Sequence, residues 1–130
     1  MNGERGAVST LLAVLGLALL MAGGLAIDGG RKVNALRDAT HLADNAARAA
    51  AQMVDTDTLR HSGVIQLLPD QAADAAHGYL ASVGHTGIVT IDGDTATVTV
   101  TLTVQPRLLP TGPMTVTATE TAAAITENPA

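Results

Sequence analysis

The sequence predicts an α+β protein: a long N-terminal helix, a short second helix and a small antiparallel β-meander. Three observations predict it. No charged residue occurs from Ala7 to Ile27. An alanine-rich stretch with helical spacing follows at once. Beyond residue 86 the period switches to two, with Val and Thr alternating.

Composition narrows the function. The chain has 130 residues, enough for one domain and too few for two independent cores. Hydrophobic residues make up 47% but aromatics only 1%, with Tyr79 the single ring of Phe, Trp or Tyr type. That disfavours an aromatic-lined substrate pocket and the stacking platforms of single-strand nucleic-acid binders. A net charge of −5 and a pI near 5.1 disfavour binding to phosphate backbones. There is no cysteine, hence no disulfide, thiol nucleophile or Cys-based zinc site.

Residues 7–27 match the roughly 20 apolar residues that cross a bilayer core. They predict a transmembrane helix. Residues 1–6 are then a short tail on one side, and residues 28–53 extend the helix on the other. A second reading is a cleaved secretory signal, with Arg5 as n-region and cleavage after Ala26 at a Gly24-x-Ala26 site. On that reading the mature protein is a small secreted binding module. Arg31, Lys32 and Arg37 outnumber Arg5, so the charge count alone places the C-terminal part in the cytoplasm. The short N-terminal flank and signal-like apolar core favour export of that part instead.

Past the span, Asp28 stands three and four residues before Arg31 and Lys32, and Asp44 four before Arg48. Both spacings predict helical ion pairs. Gly29 and Gly30 are the weak point, where a bend would be tolerated. Small residues recur every four positions. Ala18, Ala22, Ala26 and Gly30 form a ridge in the membrane part; Ala35, Ala39, Ala43, Ala47 and Ala51 form another beyond it. Such ridges let helix backbones approach closely. The outer ridge is expected to pack on the chain's own sheet or on a partner's helix.

Residues 54–130 form the head. The helix is expected to end near Asp55, and residues 55–70 read as turn formers mixed with short apolar pieces. Asp70 reads as an N-cap for a second helix at about 71–83, with Gly84 ending it. Strands follow at about 87–92, 95–105 and 114–121, the first two joined at Asp92-Gly93-Asp94. Ala96, Val98, Val100, Leu102 and Val104 face one way, and Thr95, Thr97, Thr99, Thr101 and Thr103 the other. The threonine face is either a solvated strand surface or a packing surface for subunits. The tail from Ala122 has no strong pattern.

No constellation for chemistry stands out. His41, His61, His77 and His85 include no i,i+4 pair suited to zinc. Ser9 and Thr10 have no partnered base, and no acid–base pair comes with a pocket. The expectation is no catalytic residue, no metal, no cofactor and no small-molecule or nucleic-acid partner.

Glu4-Arg5-Gly6-Ala7-Val8-Ser9 before the apolar run, Asp28-Gly29-Gly30-Arg31 after it, and the Ala/Asp-rich helix from Arg37 to Ala51 resemble TadE/TadG-like proteins of the Flp (tight-adherence) pilus assembly system. The resemblance covers about the first fifty residues. It implies a pilin-like fold and a structural role in the bacterial cell envelope as a pseudopilin or assembly factor. It implies a single pass through the cytoplasmic membrane, N-terminus inside, and contacts with pilus subunits and assembly-platform proteins of a pilus or secretion apparatus. It also offers a processing point after Gly6, leaving Ala7 first. Leu11 stands in fifth place there, where pilin-like precursors carry Glu, so that motif is incomplete.

Overall fold

The structure, a computed structural model, describes residues 2–125, with side chains from residue 6 onward. Met1, the side chains of Glu4 and Arg5 and the tail from residue 126 lie outside the described residues. The elements in order are α1 (Asn2–Ala51), α2 (Thr56–Ser62), α3 (Pro69–Ser82), β1 (Ile88–Asp92), β2 (Thr95–Val104) and β3 (Met114–Ala123). The three strands form one antiparallel sheet in the order β1-β2-β3. This is the α+β fold read from the sequence.

Helix α1 is 50 residues long, about 75 Å at 1.5 Å per residue. It runs unbroken through Gly29 and Gly30, so the weak point introduces no break. The helix ends at Ala51, four residues before the expected Asp55. Its first half, from residue 6 onward, is exposed except at Gly24, which the β2–β3 connection covers. Its second half lies with α3 on the apolar face of the sheet.

The core is built almost entirely of small side chains. Ala39, Ala43, Ala46, Ala47 and Ala50 of α1 meet Ala72, Ala76 and Leu80 of α3, with Ala96, Val98 and Val100 of β2 and Val116 and Ala118 of β3. Leu67 and Leu80 are the largest apolar side chains buried completely. Burying each stabilises the fold by roughly 1.5–3 kcal/mol. Alanine adds little area of its own, but it lets α1 lie close to the sheet along several turns.

Three local structures differ from the sequence reading. Residues 56–62, read as turn formers, are the helix α2. Asp55 caps it by accepting from the Asp57 and Thr58 amides at 3.1 and 3.0 Å and from Thr58 Oγ1 at 2.6 Å. Gly63, at φ +72°, ends it. The excursion closes where the Asp55 amide donates to Gln66 O and the Leu68 amide to Met53 O, each at 2.8 Å.

The cap of α3 also differs. Leu68 is the N-cap, with no side-chain bond, and Pro69 takes the first helical position. Proline needs no amide partner there and arrives with helical φ, so Asp70 is displaced into the first turn. Gly84 does end α3, at φ +78°: its amide donates to Ala81 O and the His85 amide to Leu80 O, a Schellman arrangement. Finally, β3 runs on through Ala122 and Ala123. Ala124 is then held by its amide donating to Asp94 O at 2.8 Å.

The hairpin between β1 and β2 turns at Gly93, at φ +59°, with Asp92 paired to Thr95. β2 and β3 pair from Thr95–Ala123 to Val104–Met114, and residues 105–113 connect them at the end nearest the apolar half of α1.

Candidate functional site

Two features bear on function: the apolar half of α1 and the junction at which the head meets it.

The apolar half is bare. Leu11, Leu12, Leu15, Leu17, Leu19, Leu20 and Leu25 are 54% to 76% exposed, and Val8, Val14, Met21 and Ile27 are similarly open. Exposed apolar surface on this scale calls for a nonaqueous surrounding or for other chains. Ala18, Ala22, Ala26 and Gly30 lie on this bare part and are exposed. Ala39, Ala43 and Ala47 of the outer ridge are fully buried in the chain's own core, while Ala35 and Ala51 are half-buried at its margin. Gly6 and Ala7 lie in the first turns of α1.

The junction is built around Asp28, whose residue is only 1% exposed. Its carboxylate accepts three backbone N–H groups from the β2–β3 loop: Arg107 at 3.1 Å, Leu108 at 3.2 Å and Leu109 at 2.9 Å. These bonds, that from Arg107 foremost, hold its pKa below the ordinary carboxylate value; burial opposes them and Arg31 adds a smaller pull. Arg31 donates through Nη1 to Gln105 O at 3.2 Å. Gly24 is buried under the same loop, and a Cβ placed on it would meet Leu108 Cβ at 3.5 Å.

This corrects the ion pairs expected of Asp28. Among the described residues it makes no salt bridge with Arg31 or Lys32, because its oxygens are committed to the loop amides. The spacing of Asp44 and Arg48 does give its pair, with Nε 2.9 and 3.0 Å from the two carboxylate oxygens. Gly29 and Gly30 are exposed and open, with no atom near enough to meet a Cβ. The loop residues Arg107, Leu108 and Leu109 were missed in the sequence. Their signal was a Leu-Leu pair between two prolines, in a segment otherwise read as a connection.

Among the described residues, the rest of the head offers little for chemistry. A cleft of about 570 Å³ lies between the end of α1 and the end of β3. Asp44 and Arg48 line it, but they are bonded to each other. His41, His61 and His77 are exposed, and His85 is half-buried. On the outer face of the sheet, Thr97 and Thr121, Thr99 and Thr119, and Thr101 and Thr117 share hydroxyl hydrogen bonds at 2.9, 2.8 and 3.0 Å.

The fold thus defines a class of protein: a small α+β head whose core incorporates the far half of one long helix, the near half being apolar and unpartnered. Residues 6–53 match a family model, Tad, described as Flp pilus-assembly TadE/G-like. Over these residues the chain is similar to that family, in line with the resemblance carried by the Asp28–Arg31 junction and the alanine-rich helix. The match spans the bare helix, the junction and the core-forming end of α1; α2, α3 and the sheet lie outside it. No curated protein and no solved structure matches the chain.

Proposed function

We propose that this chain is a membrane-anchored, pseudopilin-like structural or assembly component of a Flp/Tad-type pilus or a related secretion apparatus. Residues 7–27 cross the cytoplasmic membrane once, residues 1–6 remain inside, and residues 28–130 stand outside. One observation carries the reading: the segment similar to TadE/G-like proteins is a single unbroken helix up to Ala51, bare over most of its apolar part and built into the core where it is alanine-rich. The head is thereby fixed rigidly to its anchor, as suits a part that transmits position between membrane and assembly.

The action is by packing, with no chemistry of its own. The ridge Ala18, Ala22, Ala26 and Gly30 is the surface for a neighbouring helix in the membrane, where small residues permit close approach. Other pilus subunits and assembly-platform proteins are the partners this surface fits.

Carbonate extraction of membranes, with mass spectrometry of the native N-terminus, tests the anchor. An extraction-resistant chain that keeps residues 7–27 is expected, starting at Met1 or, after cleavage at Gly6, at Ala7. A soluble product starting at Ile27 would instead establish the secreted module. That product would lack Gly24, on which Leu108 rests, and would leave Asp28 as its second residue. Fusion at Ala130 of a reporter enzyme active only outside the cytoplasm tests orientation. An inactive, normally expressed fusion would refute export of the head.

A further inference from the structure

We propose that the β2–β3 loop is a second membrane contact, with Leu108 seated in the leaflet next to the head and Asp28 holding it there. The proposal rests on the reading that residues 7–27 cross the bilayer. Its argument is one of depth. Gly24 lies three residues inside the end of that span, about 4.5 Å along the helix axis from Ile27. Leu108 packs directly over Gly24, with 3.5 Å between its Cβ and the position a Gly24 Cβ would take. A bilayer placed to cover residues 7–27 therefore reaches Leu108, which is 58% exposed in the isolated chain.

The loop is chemically suited to that place. Backbone N–H groups cannot enter a nonaqueous layer unpaired. From residue 106 to residue 110 no amide is left free. Pro106 and Pro110 have none, and those of Arg107, Leu108 and Leu109 all bond to Asp28. Gln105 O is taken by Arg31. The side chain offered to the layer is leucine, and the exposed Arg107 beside it sits at the level of Asp28, within reach of lipid headgroups. Asp28 is thus the residue that positions the loop, and Arg31 supports it.

The full chain contains no tryptophan, so one introduced residue reports its own surroundings. Leu108→Trp, Leu15→Trp and Thr117→Trp variants would be reconstituted in phosphatidylcholine vesicles whose acyl chains are brominated at graded depths. Leu15→Trp reports the anchor and Thr117→Trp the outer face of the head. Leu108→Trp is expected to be quenched most by shallow bromines, Leu15→Trp by deeper ones, and Thr117→Trp hardly at all. Adding Asp28→Ala is expected to lower quenching at residue 108 at least twofold and leave residue 15 unchanged. Asp28→Asn, with a circular dichroism melt of each variant, guards against a head that has failed to fold.

If Leu15→Trp is quenched but Leu108→Trp behaves like Thr117→Trp, the loop contact is wrong while the anchor stands. If neither is quenched, the anchor reading itself fails. If quenching at residue 108 appears only as the vesicles are diluted in protein, another chain covers the loop and lipid is not its occupant. Unchanged quenching in folded Asp28→Ala and Asp28→Asn variants would overturn the positioning role of Asp28.

Discussion

Replacing alanine by leucine at residues 43 and 47 separates two roles for the small-residue ridges. Both alanines have no exposed surface and lie among Ala72, Ala76, Leu80 and the inner residues of β2 and β3. Leucine adds three carbons in a space already closed by α3 and the sheet. Overpacking of this kind costs about 1–3 kcal/mol per site. Residues 43 and 47 are one helical turn apart and share neighbours, so the double variant will not be the sum of the singles. For a head of this size each kcal/mol moves the melting temperature by about 4–8 °C. A single variant should therefore melt about 4–24 °C below the parent.

The assay is thermal unfolding of the full chain in detergent, followed by circular dichroism in the far ultraviolet. Ala18→Leu and Ala22→Leu are the controls. Both positions are exposed, so each should change head stability by no more than about 0.5 kcal/mol, while lowering self-association or partner capture in membranes. Parent-like melting of both Ala43→Leu and Ala47→Leu would refute the placement of α1 in the core. A loss of melting temperature in Ala22→Leu equal to that in Ala43→Leu would refute the independence of the bare half.

Gly87→Ala would bring a Cβ to 2.8 Å from Thr99 O and 2.9 Å from Leu80 Cδ1, so the edge strand β1 must move; a loss of about 1–3 kcal/mol in urea unfolding is expected. Leu80→Ala should cost about 2–5 kcal/mol by leaving a cavity among alanines that cannot collapse to fill it, read in the same titration. Asp28 and Asp55 both have folded pKa values below their ordinary 3.8. The folded state then binds fewer protons than the unfolded one in acid, so their stabilisation is complete above about pH 3.8 and is lost as pH falls through the folded values. Melting temperature against pH should show that loss below pH 3.8, and Asp28→Asn should flatten part of it. A double-mutant cycle on Thr99 and Thr119 should return a coupling of only about 0.2–1 kcal/mol, because the pair lies on the open face of the sheet.

Periodic features were legible in the sequence, and features made by meeting were not. The alternation in β2 placed Ala96, Val98 and Val100 on the buried face because side-chain period in a strand is a local property. The apolar run and the Asp44–Arg48 pair were equally local. Helix α2 was obscured because its seven residues include no buried side chain, so no apolar stripe marks it. Its capping signal, Asp55 with Thr58 three residues on and Gly63 after, was present without the stripe that usually accompanies it. Asp28 was read through its neighbours on the helix, whereas its partners lie about 80 positions away. Helical spacing lists ion-pair partners within one turn; it carries no information on a loop returning to the same carboxylate.

The scarcity of rings has a structural reason that follows from α1. The far half of α1 lies along β2 and β3 over several turns, and the space between them is filled by small side chains. The inner face of α1 is thin there because Ala39, Ala43, Ala46, Ala47 and Ala50 line it. α3 meets that face with Ala72 and Ala76, and Leu80 and Leu67 are the largest apolar side chains buried completely. The lone ring, Tyr79, sits at the margin, where its hydroxyl accepts from Asn45 Nδ2 at 3.1 Å. Such a core gains less per residue from burial than an aromatic one. The Asp28 cradle adds a tie of a different kind, since it joins head to anchor by hydrogen bonds to a charged group, which are stronger than neutral ones. It acts at the one level where the helix has left the core and the alanine face no longer holds the head.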